Sequence, residues 1–153
     1  MADYLGRLAE LGLKLPEAPA PAANYVPYVI AGSMVYISGQ VARNERGFIT
    51  GKLGADMSVA EGQEAAKSCA LALIAQLRAA CGGDLSRLVQ VVKLTGFVAA
   101  TPDFTEHPTV INGASDIMVA VFGDRGRHAR AAVGCVSLPL GVAVEVEGIF
   151  RIT

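Results

Sequence analysis

The sequence predicts an α+β domain in which two helices cover one face of a mixed β-sheet. Three observations lead to this prediction. Two long segments carry apolar residues at helical spacing, runs of β-branched residues bounded by Gly and Pro indicate strands, and these elements follow one another in the order β-β-α-β-α-β-β. The 153 residues correspond to about one domain with a core of its own.

Residues 1–24 are predicted to form an N-terminal helix and a connector that precede the main domain. Apolar side chains recur at helical spacing within residues 3–12, at Tyr4, Leu5, Leu8 and Leu11. Residues 13–24 are rich in Pro and Ala, and because Pro interrupts a regular helix, an extended connector is expected there. The main domain is expected to span residues 25–153.

The first half of that domain is predicted to contain two strands and a long helix. β-branched and aromatic residues mark strands at 25–30 and 34–38, which a short Gly-containing turn joins. A polar, Gly-rich loop over 44–54 follows. Ser58 and Glu61 then have the spacing of a capping box, and behind them an apolar stripe with helical period continues to a pair of glycines.

The second half is predicted to contain a strand, a helix and two further strands. Residues 88–100 form a long β-branched run. Pro108 is well placed as the first residue of a helix that ends at Gly123. Strands at 129–138 and 142–152 complete the sheet.

One face of the predicted sheet has no helix to cover it. Because strand side chains alternate between faces, Val144 and Val146 are expected to face the helices, and Glu145 and Glu147 the uncovered side. With Tyr set aside and Gly included, about 60% of the residues are apolar, compared with about 45–50% in typical domains. The sequence contains no stretch of about 18 uninterrupted apolar residues, so a membrane span is not expected. The surplus of apolar residues therefore predicts a subunit interface on the uncovered face. A site shared between subunits follows as a hypothesis.

Charge and motifs exclude several classes of function. The formal net charge is −1, from 13 basic and 14 acidic residues, so the chain offers no basic field for nucleic acid. His107 and His128 have no Cys at metal-ligand spacing, so no metal site is expected. No P-loop, G-x-S-x-G, G-x-G-x-x-G or H-E-x-x-H motif occurs, so the common hydrolase, nucleotide-binding and zincin chemistries lack support. Asp3 stands where a secretory signal would need basic residues, and a cytoplasmic protein is expected.

Arg130 and Glu145 are the residues best suited to chemistry. Arg130 lies among small residues that leave its guanidinium accessible. Such an arginine needs a carboxylate, which either Glu145 or Glu147 supplies internally or a ligand supplies bidentately. Glu145 is either a solvated strand residue or a base in a semi-apolar pocket, where desolvation would raise its pKa.

The first two strands contribute further candidates. Tyr28 is either a packing residue or a cleft residue whose hydroxyl needs a partner. Ser38 and Gly39 either end a strand or, through the flexibility of Gly39, let backbone amides approach a ligand.

Motifs spread between residues 25 and 152 resemble those of one known family. They are Pro27-Tyr28, Ile37-Ser38-Gly39-Gln40, Val92-Lys93, Asn112, Ala129-Arg130, Leu138-Pro139 and Val144-Glu145-Val146-Glu147. Together they resemble the Rid family of reactive-intermediate deaminases, also called the YjgF or L-PSP endoribonuclease family. The resemblance implies a chorismate-mutase-like fold, assembled as a homotrimer whose sheets form a central barrel, with clefts between neighbouring subunits.

The resemblance also implies a function, the hydrolysis of 2-imino or enamine acids to 2-oxo acids and ammonia without a metal or cofactor. Arg130 would bind the carboxylate of the imino acid, and Glu145 would position the attacking water. The implied binding residues are Tyr28, Ser38, Gly39, Asn112, Arg130 and Ala132. Deaminases of the family usually carry Cys where this chain has Ala132.

Two other functions belong to different classes. A non-catalytic module would hold a small carboxylate at the same cleft for sensing or protection. A ribonuclease is disfavoured, because the net charge of −1 and the lack of a His/Lys cluster provide neither phosphate affinity nor an acid–base pair.

Overall fold

A computed structural model describes residues 1–18, 20 and 23–153. Its helices are α1 (Tyr4–Glu10), α2 (Val59–Ala80) and α3 (His107–Phe122), and short 3-10 turns occupy Leu85–Arg87, Gly123–Gly126 and Pro139–Gly141. Its strands are β1 (Tyr28–Ala31), β2 (Met34–Val41), β3 (Arg43–Asn44), β4 (Gly47–Phe48), β5 (Leu88–Ala99), β6 (Ala129–Cys135) and β7 (Val144–Ile152). In the described part of the chain, no helix is both long enough and apolar enough to cross a bilayer.

Five of the strands form one mixed sheet, as predicted. Its spatial order is β1-β2-β7-β5-β6, so β1 and β6 are the two edges. The β5–β6 pair is parallel and the other pairs are antiparallel. The order β-β-α-β-α-β-β is confirmed, with one addition: β3 and β4 form a small hairpin inside the segment predicted as a loop. Each of these strands has only two residues, too few for an alternating pattern to be recognised.

The two long helices pack against the same face of the sheet and against each other. The predicted capping box at the start of α2 is confirmed: Glu61 N donates to Ser58 Oγ at 3.2 Å, and Ser58 N donates to Glu61 Oε2 at 2.7 Å. The contact between α2 and α3 is close enough that a Cβ built on Gly113 would overlap the backbone carbonyl of Gln63. Glycine at position 113 therefore sets the distance between the helices.

The N-terminal helix is shorter than predicted and contributes to the core. Asp3 caps α1 by accepting a hydrogen bond from Gly6 N at 2.8 Å. The Tyr4 ring packs edge-on against Phe122 at the end of α3, with ring centroids 4.9 Å apart. Arg7 Nε donates to the Ala120 carbonyl at 3.1 Å, which satisfies an acceptor in the last turn of α3.

Several strand boundaries differ from the prediction for local reasons. The first strand begins at Tyr28 rather than at residue 25, because Pro27 precedes it and lacks a backbone N–H for the ladder. The second strand does not end at Ser38, because its pairing with β7 resumes after an irregularity and continues to Val41. The strand predicted over 129–138 ends at Cys135, where its neighbour β5 also ends.

Side-chain alternation divides the sheet as predicted. The valines at 142, 144 and 146 are fully buried on the helix-covered side, whereas Glu145 is half-buried and Glu147 is exposed on the other side. Apolar side chains also remain exposed on or beside the uncovered face: Val29 (52%), Tyr36 (46%) and Val133 (45%).

Gly113→Ala is expected to destabilise the protein by about 1–3 kcal/mol, because the added methyl group forces two helix backbones apart. The free energy of unfolding from urea titration measures the effect. Asp116→Ala, at an exposed position of the same helix, is the control and should change it by less than about 0.5 kcal/mol. Equal stabilities of the two variants would contradict the close packing.

Candidate functional site

Arg130 projects from the edge strand β6 towards α3. Its Nη1 donates to Asn112 Oδ1 at 2.7 Å and to Ser115 Oγ at 3.2 Å. Both acceptors are uncharged. Because both bonds use Nη1, the edge of the guanidinium formed by Nε and Nη2 keeps its N–H groups for a ligand, as far as the described chain extends.

The internal ion pair considered for Arg130 does not form. The salt bridges found among the described residues are Arg7–Glu10, Lys67–Glu64 and Arg127–Asp124. Arg130 is in register with the buried Leu94, on the helix-covered face. Glu145 and Glu147 are on the opposite face, so the sheet itself separates either carboxylate from the guanidinium.

Glu145 lies beside a β-bulge in strand β2. Ile37 pairs with Gly148 and Gln40 pairs with Val146, so two residues of β2, Ser38 and Gly39, stand opposite one residue of β7. A Cβ built on Gly39 would overlap Glu145 Oε1. Glycine at position 39 thus leaves the space that the carboxylate occupies.

The environment of Glu145 favours its protonated form. Burial raises the pKa of the carboxyl group, and the neighbouring Glu147 carboxylate raises it further. A carboxyl group with a raised pKa is suited to accept or donate a proton nearer to neutral pH.

Ser38 and Tyr28 belong to the same end of the sheet as Glu145. Ser38 Oγ donates to the Val26 carbonyl at 2.8 Å, and Ser38 N donates to the Pro27 carbonyl at 2.9 Å. The Ser38 hydroxyl therefore fastens the segment before β1 to the bulge. Tyr28 is half-buried and packs against the core on the adjacent edge strand.

Within one chain, the predicted site residues form two separate groups. The first, the arginine group, comprises Arg130, Asn112 and Ala132, near the β6 edge and on the helix-covered face. The second, the glutamate group, comprises Glu145 on the central strand β7, Gly39 and Ser38 on β2, and Tyr28 on the edge strand β1. Tyr28 is in register with the buried Ile37 and packs against the core, so its side chain and the Glu145 carboxylate lie on opposite faces of the sheet. Only β5 lies between β7 and β6, so the backbones that carry Glu145 and Arg130 are about 10 Å apart, and the two side chains lie on opposite faces.

Two further residues lie beside the arginine group and were not predicted as site residues, Ser115 and His128. Ser115 follows Asn112 by one helical turn, and His128 precedes Arg130 by two residues, so both spacings place them on the arginine's side. His128 Nε2 is 2.9 Å from Ser115 Oγ, and its Nδ1 is 2.7 Å from the Gly126 carbonyl oxygen. The sequence contains these two spacings, but they identify Ser115 and His128 as neighbours of Arg130 only when α3 is known to pack beside β6.

A shallow depression lies on the uncovered face, away from Arg130. It has a volume of about 160 Å³, and its lining includes Tyr36, Lys93 and Glu147. In the part of the chain that the structure describes, no three His, Cys, Asp or Glu residues are grouped so that they could hold a metal ion.

Glu145→Gln is expected to stabilise the protein at neutral pH. A carboxyl group whose pKa is raised by folding contributes stability that is complete below its ordinary value of 4.5 and is lost as the pH rises through the folded-state pKa. The stability difference between variant and wild type should therefore shrink as the pH falls towards 4.5. Urea unfolding across this range measures it, with the exposed Glu45→Gln as control; a difference that stays constant with pH would contradict the burial of this carboxylate.

Comparison with known proteins identifies relatives over nearly the whole chain. The chain is 52% identical to protein TCP17 of Trypanosoma cruzi over 147 residues, which cover 95% of this chain and 91% of the relative. It is 28% identical over 137 residues to a 2-iminobutanoate/2-iminopropanoate deaminase of Dermatophagoides farinae, covering 90% and 92% of the two chains. The crystal structure of protein Atu1372 from Agrobacterium tumefaciens is similar with a TM-score of 0.92 and 48% identity, over 98% of this chain and 92% of that one.

Residues 5–148 match the protein family described as "YjgF/chorismate mutase-like, putative endoribonuclease". The motifs at Ser38-Gly39, Arg130 and Glu145 lie within the matched range. The chain therefore belongs to the YjgF family and has its chorismate-mutase-like fold.

Proposed function

We propose that this protein hydrolyses small 2-imino or enamine acids to 2-oxo acids and ammonia, in clefts between the subunits of a homotrimer. The observation that carries the proposal is the state of Arg130. Its guanidinium is held at the sheet edge by two uncharged oxygen atoms, so no carboxylate of the described chain neutralises it. A ligand carboxylate would complete the pairing bidentately.

Glu145 is suited to act on the water that attacks the imine. Water adds to the carbon of the C=N bond, the nitrogen takes up protons, and ammonia leaves as the C=O bond forms. A half-buried carboxylate with a raised pKa can take a proton from the water and return it to the departing nitrogen. The imine is already electrophilic, so orientation and one proton-transferring group suffice for the reaction.

The separation of the two residue groups supports a site built from two chains. Arg130 lies at the β6 edge on the helix-covered face, whereas Glu145 lies on the bare face of the central strand β7. Copies placed head to tail bring the arginine group of each chain against the glutamate group of the next, and such contacts form a closed ring when the rotation closes. The exposed Tyr36 and Val133 on the uncovered face favour a ring in which those faces meet.

The relatives support a Rid-type function in general terms. The relative from Dermatophagoides farinae is a 2-iminobutanoate/2-iminopropanoate deaminase, and the match covers 90% of this chain. Ala132 places a methyl group next to the proposed anchor, where it supplies no reactive atom. The proposed chemistry therefore uses only the guanidinium, the Glu145 carboxylate and water.

A binding module for small carboxylates is the second candidate. Arg130 by itself can hold an anion. The lack of a thiol at Ala132, where deaminases of the family usually carry Cys, favours a binding module over a deaminase. Both functions bind 2-oxobutyrate at Arg130. Single-turnover release of ammonia from an imine generated in situ by an amino-acid oxidase separates them, because a binding module releases none above the uncatalysed rate.

Arg130→Ala and Glu145→Ala are each expected to abolish ammonia release from such an imine. Removal of the anchor leaves the substrate unoriented, and removal of the carboxylate leaves the water without a base, an effect of about 100-fold or more. Exposed Arg46→Ala serves as the control for loss of a positive charge. Full activity in both site variants would refute the proposal.

The same two inactive variants test whether the site needs two chains. When they are unfolded together in equal amounts and refolded, an interface at which one chain supplies Arg130 and its neighbour supplies Glu145 is intact in about one case in four. About a quarter of the wild-type activity should therefore return. A site contained in one chain would recover nothing, and light scattering should show three times the 15.8 kDa chain mass.

A further inference from the structure

Behind Arg130, a series of three hydrogen bonds leads from the guanidinium into the protein. Arg130 Nη1 donates to Ser115 Oγ at 3.2 Å, Ser115 Oγ lies 2.9 Å from His128 Nε2, and His128 Nδ1 lies 2.7 Å from the Gly126 carbonyl oxygen. A carbonyl oxygen can only accept, so Nδ1 carries the ring proton. In the neutral imidazole Nε2 is then an acceptor, and the Ser115 hydroxyl donates to it while its lone pairs face Arg130.

We propose that His128 is a positioning residue for Arg130: the neutral imidazole orients the Ser115 hydroxyl so that it fixes the guanidinium in place for a ligand carboxylate. The inference rests on the proposed function of Arg130 as the carboxylate anchor.

Burial separates the two acceptors that hold Arg130. Asn112 is exposed, whereas Ser115 and His128 are half-buried. Bonds inside the protein are electrostatically stronger than bonds in water, and consecutive bonds polarise one another. The bond to Asn112 is shorter, at 2.7 Å against 3.2 Å, but the Ser115–His128 branch is the more buried support, and a second bond on the same nitrogen restricts rotation of the guanidinium. Restricting that rotation before binding lowers the entropy cost of capturing a ligand.

Three elements meet at His128, and one of them brings a charge. Helix α3 contributes the Ser115 hydroxyl, the 3-10 turn contributes the Gly126 carbonyl, and β6 contributes the Arg130 guanidinium, the charged group that acts on His128 within the described chain. Burial lowers the pKa of His128; the bond to Gly126 opposes the shift, and the charge of Arg130 adds to it. A protonated ring would donate from Nε2, so Ser115 could no longer donate to it and would stand between two cations.

The test compares variants that keep different halves of the imidazole. His128→Asn retains a donor near the Nδ1 position but has no acceptor for Ser115, whereas His128→Gln places an amide oxygen near the Nε2 position and does not titrate. Ser115→Ala removes the hydroxyl, and Ser115→Thr retains it. His107→Gln, at the chain's other histidine, is the control outside the network.

Binding of 2-oxobutyrate is measured by calorimetry between about pH 5 and pH 8, where a histidine titrates. His128→Asn and Ser115→Ala should raise Kd about three- to tenfold, as expected for the loss of one hydrogen bond, while His128→Gln and Ser115→Thr should restore most of the affinity. Wild-type affinity should fall on acidification, and that of His128→Gln should not follow. Wild-type affinity in His128→Asn and Ser115→Ala would overturn the proposal. So would a wild-type affinity that rises in acid, as simple attraction of an anion to a new positive charge would produce.

An NMR titration of His128 measures the same coupling without a ligand. Arg130→Gln should raise the pKa of His128 towards its ordinary value of 6.5. An unchanged His128 would contradict the coupling. If Arg130→Ala instead binds 2-oxobutyrate like the wild type, the proposed function of Arg130 fails, whereas the titration still decides whether His128 senses the guanidinium.

Discussion

Helices cover one face of the β-sheet and leave the other bare, and the alternation of side chains along the strands assigns each functional group to one of these faces. The valines of β7 complete the core, while Glu145 and Glu147, which alternate with them, are directed to the bare face. Arg130, in register with buried Leu94, belongs to the helix-covered face. This division explains why the guanidinium and the carboxylate do not neutralise each other within one chain.

Arg130 is fixed in place by hydrogen bonds to uncharged groups, and no carboxylate of the described chain neutralises its charge. A carboxylate partner would have fixed it more firmly, but it would also have occupied the N–H groups that a ligand needs. Asn112 and Ser115 fix one nitrogen with uncharged oxygens and leave the charge in place. The neutral His128 behind Ser115 extends this arrangement, because it supports the hydroxyl and adds no charge of its own.

Elements that carry their own local signal were predictable from the sequence. The capping box of α2, the glycine that ends α3 and the alternation in β7 all fix structure within a few residues. The end of β6 was not predictable, because it depends on where β5 stops, and the partners of Arg130 were not, because they depend on how α3 lies beside the sheet. Arg130 and Glu145 could be selected by residue type and by family resemblance. That they lie on opposite faces becomes evident only from the strand register.

A substitution at Gly39, in the bulge of β2, is expected to impair the proposed activity without impairing folding. The atom that a side chain at position 39 would meet is the terminal oxygen of a flexible Glu145, not a rigid backbone. Residue 39 is itself exposed, so a larger side chain at this position would displace the Glu145 carboxylate and leave the core intact. Such a mutant would express and purify normally and pass every screen for solubility, and only an assay of the proposed reaction would reveal it.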